Sequence, residues 1–563
     1  MTDILLVQPP IRDFYLTAKR TIPYGLASIA AGLKAAGFSV QILDALATRQ
    51  SRIADLPIEM SYLRAYYPKP DRSPFALFHH YRHYGRSFEA IAQQVKAARP
   101  FLVGISSLFT AYATDAIQTA EGIKVRYPEC KIVIGGHHPT ELPAQVMASP
   151  AVDFVLRGEG EVSMPLLARA LCNATELTNI PGLVFRKPDG SLHVGQTAIM
   201  DNLDDYPLPA TDLLNQHYYG RNKKAATVIV ASRGCPLSCT YCSMGASSAF
   251  LHRRRSVAGV IREIESAADR NDIGFIDFED ENLSLDRAWF LQLLEAIRKR
   301  FNRNLPELRA MNGLLPSTLD GQVTAAMRAA GFKTLNLSLG TTASAQLKRF
   351  QRPDVRRAFE RALELARTYG LQAVGYIIVG APFQKPGDSV ADLLYLAGRR
   401  ILVGTSVFYP APGSKDYARC AALGLLPETF SCYRSSALPL SHTTSRLETI
   451  TLLRLSRIIN FMKSIVDSGL ELPDPAPAAD EIVHSTERRI AGMKLLQSYL
   501  YDGKIRGASP QGEIYEHEIS VELSKHFLAG LKSINIKGAQ VNSGKITAAR
   551  NKPQPQQSVS LKK

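Results

Sequence analysis

The stretch Cys235-Pro-Leu-Ser-Cys239-Thr-Tyr-Cys242 holds three of the seven cysteines of this chain within eight residues. Three thiolates cannot complete a tetrahedral zinc site, which needs a fourth ligand, and the stretch contains no histidine. The spacing suits a 4Fe–4S cluster, in which three cysteines each bind one iron and the fourth iron stays open. The other four cysteines are scattered along the 563 residues, which excludes a secreted disulfide framework.

The three-cysteine stretch follows the first of six apolar strands that alternate with helical patterns. The predicted strands cover residues 227–231, 274–278, 307–311, 334–339, 373–379 and 405–408. Helices are predicted between them, for example over 257–268 with Ser256 as the N-cap, and over 289–300. Six such steps within residues 221–425 predict a partial, open (β/α)6 barrel rather than a closed eight-fold one. The cysteines would lie on the loop after its first strand.

Residues 1–170 show the same alternation and predict another α/β domain. Its predicted strands cover residues 4–7, 40–44, 101–105, 131–134 and 154–156. Because these strands are apolar throughout, they predict a parallel sheet with helices on both faces, which is a doubly wound domain. Ligands of such folds lie beyond the carboxyl ends of the strands, where this sequence has Ser106, Ser107, Gly135 and Gly136.

An insertion over residues 48–85 interrupts this alternation and is rich in aromatic and basic side chains. Long insertions in compact α/β domains are usually lids or binding loops, and a lid would emerge beside the barrel mouth. The alternative is a satellite cluster packed on the outside of the sheet. Both interpretations stay open at this point.

The other segments are a connector over 171–220, a helical region over 426–530 with a long helix over 445–466, and a basic tail over 531–563. The net charge is +16, and half of this excess follows Glu522, where the chain has eight lysines and arginines and no acidic residue. Such a segment is typical of a disordered, solvated extension. It leaves open a weak peripheral contact with anionic lipid or RNA.

The sequence also predicts where the protein works. No apolar run approaches the length of a membrane-spanning helix. The first ten residues lack the basic start and the apolar stretch of a secretory signal. We therefore expect a cytoplasmic protein without a transmembrane segment.

At the three-cysteine stretch the chain resembles the radical S-adenosylmethionine (SAM) enzymes, whose signature has this spacing and an aromatic residue just before the third cysteine. Tyr241 stands at that position. The resemblance implies that Cys235, Cys239 and Cys242 ligate the cluster and that SAM chelates the fourth iron. It also implies that an electron from a donor such as flavodoxin or ferredoxin leads to cleavage of SAM into methionine and a 5′-deoxyadenosyl radical.

The same resemblance implies further contacts to SAM. Asp280 and Glu281, after the second barrel strand, would lie near its amino group. Ser338 or Thr341 would contact the ribose, because Gly-Thr-Thr stands where relatives often have Glu-Ser-Gly. Gly380 belongs to a motif similar to the fifth-strand glycine motif, where the backbone approaches the adenine.

Two further segments complete this comparison of motifs. The sequence Pro-Ala-Pro-Gly413 resembles the sixth-strand motif Pro-x-Pro-Gly. The run Arg253-Arg254-Arg255 precedes a predicted helix, and we expect it to form a solvated first turn rather than an anion site.

The first domain resembles the cobalamin-binding domain found in front of many radical SAM barrels. Ser106-Ser107-Leu108 matches the SxL motif, and Gly135-Gly136 matches the GG motif 26 residues later. The DxHxxG motif is absent, which implies that no protein histidine coordinates cobalt from below; His137 and His138 are not assigned as ligands. Residues 153–161 resemble the segment that closes this domain in relatives. The alternative is a vestigial domain that no longer binds the corrinoid.

These resemblances imply a class B-like, cobalamin-dependent radical SAM enzyme. We expect methyl transfer to an unactivated carbon of a small-molecule or lipid-like substrate. A first alternative is a non-methylating cyclase or rearrangement enzyme similar to the anaerobic protoporphyrin ester cyclases. A tRNA methylthiotransferase would need three cysteines before the barrel, where only Cys130 and Cys172 lie. A non-catalytic cobalamin-binding regulator is disfavoured by the cysteines and by the absence of a DNA-reading helix pair, so no DNA partner is expected.

Overall fold

The computed structural model describes residues 2–14, 22–78, 80–246, 251–302, 304–478 and 488–539. Within these ranges the chain forms a doubly wound α/β domain, an open barrel of parallel strands and a C-terminal region that packs on both. The predicted fold class is confirmed.

The first domain is built on a seven-stranded sheet in the order β10-β9-β8-β7-β6-β1-β3. Its strands, with those of a small separate sheet, are β1 (Ile4–Gln8), β2 (Ile11–Asp13), β3 (Val40–Asp44), β4 (Ser51–Ile53), β5 (Arg82–Tyr84), β6 (Leu102–Ser106), β7 (Lys131–Gly135), β8 (Phe154–Leu156), β9 (Leu183–Arg186) and β10 (Leu192–Val194). The strands β3, β1, β6, β7 and β8 are parallel, as predicted. The antiparallel hairpin β9–β10 extends this sheet, so that part of the predicted connector belongs to the first domain.

Helices cover both faces of this sheet, because its strands are apolar on both sides. They are α1 (Tyr24–Ala35), α2 (Leu63–Tyr66), α3 (Phe88–Ala98), α4 (Ala113–Arg126), α5 (His137–Glu141), α6 (Pro143–Met147) and α7 (Gly160–Asn173). Of these, α2 lies in the insertion. Helix α5 begins directly after the glycine pair at the end of β7, which places it at the ligand-binding edge.

The aromatic insertion packs against the C-terminal region rather than on the outside of the first sheet. Its strands β4 and β5 join β2 in a small antiparallel sheet. The Phe75 ring is fully buried and lies edge-on to Phe461, with ring centroids 5.6 Å apart. The Tyr67 hydroxyl donates to the carbonyl of Ser436 over 3.2 Å. The satellite interpretation is therefore wrong, because these aromatic rings fill a core shared with the barrel and the C-terminal helices.

Six parallel strands form the open barrel. The six barrel strands are β12 (Lys224–Ile229), β15 (Ile273–Phe278), β16 (Glu307–Ala310), β17 (Thr334–Gly340), β18 (Gln372–Val379) and β19 (Leu402–Val407). Three two-residue strands flank them: β11 (Gly220–Arg221), β13 (Ser232–Arg233) and β14 (Arg253–Arg254). Parallel ladders join β12-β15-β16 and β17-β18-β19. Isolated parallel bridges, Leu308 to Phe332 and Leu314 to Leu337, connect the two halves.

Helices surround the outside of the barrel. They are α8 (Ser243–Ala246), α9 (Val257–Arg270), α10 (Arg287–Phe301), α11 (Gly321–Ala330), α12 (Ser344–Arg349), α13 (Arg356–Thr368), α14 (Pro386–Ala397) and α15 (Lys415–Ala422). As predicted, Ser256 caps α9, and its hydroxyl accepts from the backbone N–H of Gly259 over 3.0 Å.

The C-terminal region consists of α16 (Arg446–Asp467), α17 (Arg488–Asp502), β20 (Arg506–Ala508), β21 (Ile514–Glu516) and α18 (Val521–Leu531). A capping box formed by Ser445 and Glu448 begins α16 near the predicted residue. The antiparallel hairpin β20–β21 interrupts the predicted helical region. Among the described residues no helix is both long and apolar enough to cross a membrane.

The folded C-terminal region continues to residue 539, into the segment predicted as the basic tail (531–563). After α18, Ile536 is buried and the backbone N–H of Ala539 donates to Asp467 over 3.0 Å. The Lys463 ammonium donates to the carbonyl of Lys537 over 3.1 Å. Residues 532–539 therefore pack against α16 because they carry apolar side chains, whereas the rest of the predicted tail, 540–563, lies outside the described residues.

Candidate active site

The cysteine stretch lies on the loop between β13 and α8, after the first long barrel strand, as predicted. A turn closes it, with the N–H of Cys242 donating to the carbonyl of Cys239 over 3.2 Å. The Asn282 amide nitrogen lies 3.2 Å from the Cys235 sulfur. Asn282 follows the second barrel strand, so neighbouring strand ends meet at this loop.

The described part of the chain contains no group of three histidine, cysteine or acidic side chains that converge on one metal ion. A single ion needs its ligands about 2 Å from one point. In a 4Fe–4S cluster each cysteine binds a different iron, so the thiols lie farther apart. The donor set of three cysteines and no other ligand fits such a cluster.

Backbone and side-chain bonds fix the cysteine loop from its outer side. The N–H of Thr240 donates to the carbonyl of Phe350 over 2.9 Å. The Thr240 hydroxyl donates to Asp416 over 2.8 Å, and the N–H of Asp416 donates to the carbonyl of Thr240 over 2.8 Å. The end of α12 and the start of α15 therefore hold the middle of the loop.

Arg352 connects three of the sequence-predicted residues and was missed by sequence reasoning. Its guanidinium donates to the Tyr241 hydroxyl over 2.9 Å and to the Ser338 hydroxyl over 2.7 Å. The same nitrogen that bonds Tyr241 lies 3.8 Å from the Cys239 sulfur. This contact places a buried cation beside one of the three predicted iron ligands. The Arg352 Nε is buried without a hydrogen-bond partner among the described residues.

At the end of the second barrel strand, Glu281 rather than Asp280 lies beside the cysteine loop. Asp280 is fully buried and accepts from the N–H of Ala231 over 3.2 Å and from the Ser232 hydroxyl over 2.5 Å. Burial raises the pKa of Asp280 to about 7. Its side chain is turned to the first strand, and its contact with SAM stays a prediction. Glu281 is half-buried, and its carboxylate accepts from the N–H of Gly234, beside the cysteine loop.

Thr341 is likewise turned away from the barrel mouth. It is fully buried, and its hydroxyl accepts from the N–H of Ala343 over 3.1 Å and contacts Asp392. Of the two predicted ribose contacts, only Ser338 shares the Arg352 network. Gly380 has a φ of +74°, and a Cβ there would lie 3.1 Å from the Thr449 hydroxyl of α16. Its backbone is therefore held close to the C-terminal region.

The predicted corrinoid contacts meet at the carboxyl ends of β6 and β7. Ser106 pairs with Gly135 in the sheet register, and the N–H of Ser107 donates to the carbonyl of Gly135 over 2.8 Å. Gly136 has a φ of +127°, and a Cβ there would lie 2.5 Å from the Ser107 carbonyl oxygen. The Ser107 hydroxyl is buried without a partner among the described residues. A close-packed glycine beside an unsatisfied hydroxyl fits a bound polar group at this edge.

The two histidines after the glycine pair differ in their surroundings, and the buried Nε2 of His138 has no hydrogen-bond partner among the described residues. The His138 ring is buried, with its Nδ1 3.3 Å from the Thr110 hydroxyl, and lies edge-on to Phe430 at 4.6 Å between centroids. Burial lowers the pKa of His138 to about 4, so the ring is neutral. His137 begins α5 and is exposed.

An ion-pair network joins the two domains beside the cysteine loop. Arg233 donates to Glu159 over 3.1 Å and to Glu161 over 2.6 Å. Arg253 donates to the second oxygen of Glu159 over 2.9 Å. Arg233 precedes Cys235 by two residues, and both glutamates belong to the segment after β8. The carboxyl edge of the first sheet is thereby fixed against the barrel.

The predicted solvated turn at residues 253–255 is wrong, because all three arginines bind carboxylates of the protein itself. Arg254 pairs with Asp286. Arg255 is buried and pairs with Glu263 of α9. These pairs leave none of the three guanidinium groups as a solvated first turn.

The strand ends of both domains meet at further contacts. Gly413, in the Pro-Ala-Pro-Gly segment, has a φ of +81°, and a Cβ there would collide with Glu141 of α5.

At the strand ends four large apolar side chains stay exposed: Leu108, Phe109, Met311 and Tyr409. Each follows a strand within three residues, so apolar surface remains at the edges that face each other. Such surface suits a bulky apolar ligand.

Comparisons with known proteins agree with this architecture. Residues 77–168 match the B12 binding domain, and residues 229–394 match the Radical SAM superfamily. Over 342 residues the chain is 26% identical to an uncharacterized methyltransferase, PH0819, of Pyrococcus horikoshii, covering 60% of this chain and 73% of that protein. It is 25% identical over 470 residues to the cytidylyl-2-hydroxyethylphosphonate methyltransferase of Streptomyces wedmorensis, covering 77% and 84%.

A further relative and one solved structure extend the comparison. The chain is 28% identical over 306 residues to the anaerobic magnesium-protoporphyrin IX monomethyl ester cyclase of Rubrivivax gelatinosus, covering 52% and 53%. The structure of the radical SAM methyltransferase TsrM from Kitasatospora setae, with cobalamin and a [4Fe-4S] cluster bound, has a TM-score of 0.57 at 18% identity and covers 75% of each chain. This likeness shows the fold. In this chain a B12-binding domain therefore precedes a radical SAM domain.

Proposed function

We propose that the protein transfers a methyl group to an unactivated carbon of a small-molecule or lipid-like substrate. The observation that carries this proposal is the direct link between the two cofactor edges, in which Arg233, two residues before Cys235, binds Glu159 and Glu161 of the first domain. When bound, the cluster with SAM supplies a carbon-centred radical and cobalamin supplies the methyl group. A methyl transfer needs both groups to reach one substrate.

The barrel residues hold and position the cluster and SAM in this proposal. Cys235, Cys239 and Cys242 bind the three irons. Arg352 keeps a positive charge near the Cys239 sulfur. Glu281 accepts from the SAM amino group. Ser338, Gly380 and Tyr241 provide the remaining contacts to SAM. Asp280 and Thr341 hold the neighbouring loops through hydrogen bonds to backbone N–H groups.

The first domain holds the corrinoid through the ends of β6 and β7. Ser106 and Ser107 contribute hydroxyls, and Gly135 and Gly136 allow close backbone approach. We infer from the missing DxHxxG motif that no protein histidine serves as a ligand of cobalt. In the described structure His138 Nδ1 contacts Thr110, and its Nε2 is buried without a hydrogen-bond partner among the described residues. The protein is proposed to act in the cytoplasm with flavodoxin or ferredoxin as reductant.

A cyclase is the second candidate, because the relative from Rubrivivax gelatinosus carries that activity in its name. The two reactions differ in the product. Methyl transfer adds one carbon to the substrate, whereas cyclisation adds none. A non-catalytic regulator would form no deoxyadenosine at all.

The proposal is tested with anaerobically purified, reconstituted protein. The absorption spectrum reports bound corrinoid, and a deoxyadenosine assay under reducing conditions reports SAM cleavage. Extracts of the source cells are then incubated with SAM carrying a deuterated methyl group, and mass spectrometry is used to find products that gain it. Corrinoid binding and labelled product support methyl transfer. SAM cleavage with an unlabelled, cyclised product would favour the cyclase instead.

A further inference from the structure

Four exposed cations surround the outer side of the cysteine loop. This loop-side basic face consists of Lys348, Arg349, Lys385 and Lys415. Arg349 donates to the carbonyl of Phe383 over 3.1 Å and lies over its ring at 5.1 Å. The Lys415 ammonium donates to the Gln351 side chain over 2.8 Å. Both contacts are to uncharged partners, so they fix the side chains without neutralising them.

Acidic side chains near this face are engaged elsewhere. Asp416 is buried and pairs with Arg419, and Asp354 pairs with Arg356 over 2.5 Å. Asp388, three residues after Lys385, is the exception: its charge acts on Asp392, another carboxylate, so it leaves one negative charge at the edge of this face. The loop-side basic face therefore keeps its positive potential, which draws an acidic partner toward it.

Hydrogen bonds tie this face directly to the cluster-binding loop. The Thr240 hydroxyl, which donates to Asp416, also lies 3.1 Å from the carbonyl oxygen of Arg349. The residue after Lys415, Asp416, exchanges two hydrogen bonds with Thr240. Thr240 lies between the second and third cysteines. The inner side of the barrel mouth faces the first domain through Arg233 and Gly413, so a partner protein would approach the cysteine loop from the other side.

We propose that the loop-side basic face docks a small acidic electron-carrier protein, which reduces the cluster. This rests on the proposed function, because the reaction starts with a reduced cluster. The step moves one electron: the carrier is oxidised by one electron and the cluster is reduced by one, and no bond forms or breaks. Because electron transfer slows steeply with distance, a carrier must dock beside the cysteines. A nucleic acid or a membrane has no such reason to bind there.

The test compares a triple charge-reversal variant, Lys348→Glu, Lys385→Glu and Lys415→Glu, with the wild type. The probe is reduced flavodoxin, mixed with SAM-free, cluster-loaded enzyme, and the readout is the rate at which the cluster absorption bleaches. At low ionic strength we expect the variant to lose about tenfold or more in this rate. The wild-type rate falls as salt is added, whereas the variant rate changes little.

A matched variant controls for net charge. Lys96→Glu, Lys187→Glu and Lys525→Glu change three exposed lysines away from the cysteine loop, and this protein should be reduced by flavodoxin at the wild-type rate. Dithionite, which needs no docking, should reduce all three proteins equally and support equal deoxyadenosine formation. Failure of wild type to form deoxyadenosine with dithionite would count against the proposed function alone.

Three results would overturn the docking site. The first is an unchanged flavodoxin rate in the triple variant. The second is an equal loss in the matched control, which would indicate a general charge effect. The third is loss of binding to a short RNA or to phosphatidylserine vesicles with normal flavodoxin reduction, which would assign the face to another partner.

Discussion

Single residues decide whether the cysteine loop assembles a cluster. We expect Cys235→Ala, Cys239→Ala and Cys242→Ala each to abolish cluster assembly and SAM cleavage, because each thiolate binds its own iron. Alanine at the other four cysteines should leave iron content unchanged, since none of them belongs to the loop: Cys130, Cys172, Cys420 and Cys432. Iron per chain and deoxyadenosine formation are measured. Full iron in one of the three loop variants would contradict the assignment.

Arg352 should act as a positioning residue for that loop. Arg352→Met removes the bonds to Tyr241 and Ser338 and the cation near the Cys239 sulfur. We expect a cluster that is harder to reduce, since a nearby positive charge stabilises added electrons, and SAM cleavage about tenfold slower. Potentiometry followed by electron paramagnetic resonance checks the first effect. Arg356→Met, at an exposed arginine, is the control, and an unchanged potential would remove Arg352 from this role.

Asp280 gives the stability of the protein a defined pH dependence. Its pKa in the folded protein is about 7, above the value of about 4 in an unfolded chain. The folded state therefore holds an extra proton, and this contribution to stability is lost as the pH rises from about 4 to about 7. Asp280→Asn resembles the protonated form and should flatten that part of the profile. Urea midpoints of the apo protein at several pH values test this, with Glu428→Gln as control.

Periodicity in the sequence predicts the elements whose side chains alternate between core and solvent in a regular way. The parallel strands of both sheets and the cap at Ser256 are local patterns of this kind. The strands of the hairpins β9–β10 and β20–β21 are only three or four residues long, so their patterns are weak. Residues 532–539 are held by α16, which is far away in sequence. Such tertiary contacts leave no local signal.

The insertion is the element for which the structure changes the expectation most. Phe75 is fully buried against Phe461 of α16. Phe75→Ala should destabilise the protein by about 3–5 kcal/mol, because it leaves a cavity in the shared core. Replacing the insertion by a short glycine-serine loop should therefore cause misfolding, whereas removal of a simple lid would leave the fold intact. Thermal unfolding is the measurement, with Ile53→Ala, at an exposed side chain, as control.

At the scale of the molecule, the link between the two domains was beyond sequence reasoning. The cysteine spacing predicts the cluster loop, and the strand-end motifs predict the corrinoid edge, because each is a short local pattern. Arg233 and Glu159 are 74 residues apart and come together only through the packing of two folded domains. Arg352 reaches the cysteine loop in the same way, over 113 residues.

Replacing Arg233, which links the two domains, should uncouple SAM cleavage from methyl transfer. Arg233→Met leaves Glu159 and Glu161 buried with fewer cations, and breaking a buried ion pair costs about 3–5 kcal/mol. We expect looser packing of the first domain on the barrel, so that deoxyadenosine still forms while methylated product falls. The ratio of the two products is the measurement, and Arg221→Met, at a more exposed arginine, is the control. An unchanged ratio would show that the link has no part in coupling.

The shared core of the insertion and α16 has a consequence for biosynthesis. Ribosomes release the chain from its N-terminus, so residues 48–85 emerge long before Phe461 and the helices that cover them. During that interval the rings of Tyr67, Phe75 and Tyr81 stay in contact with water, a condition that promotes aggregation. A fragment ending at residue 170 should therefore be poorly soluble when expressed alone, and nascent chains of the full protein should depend on chaperones until α16 has been translated.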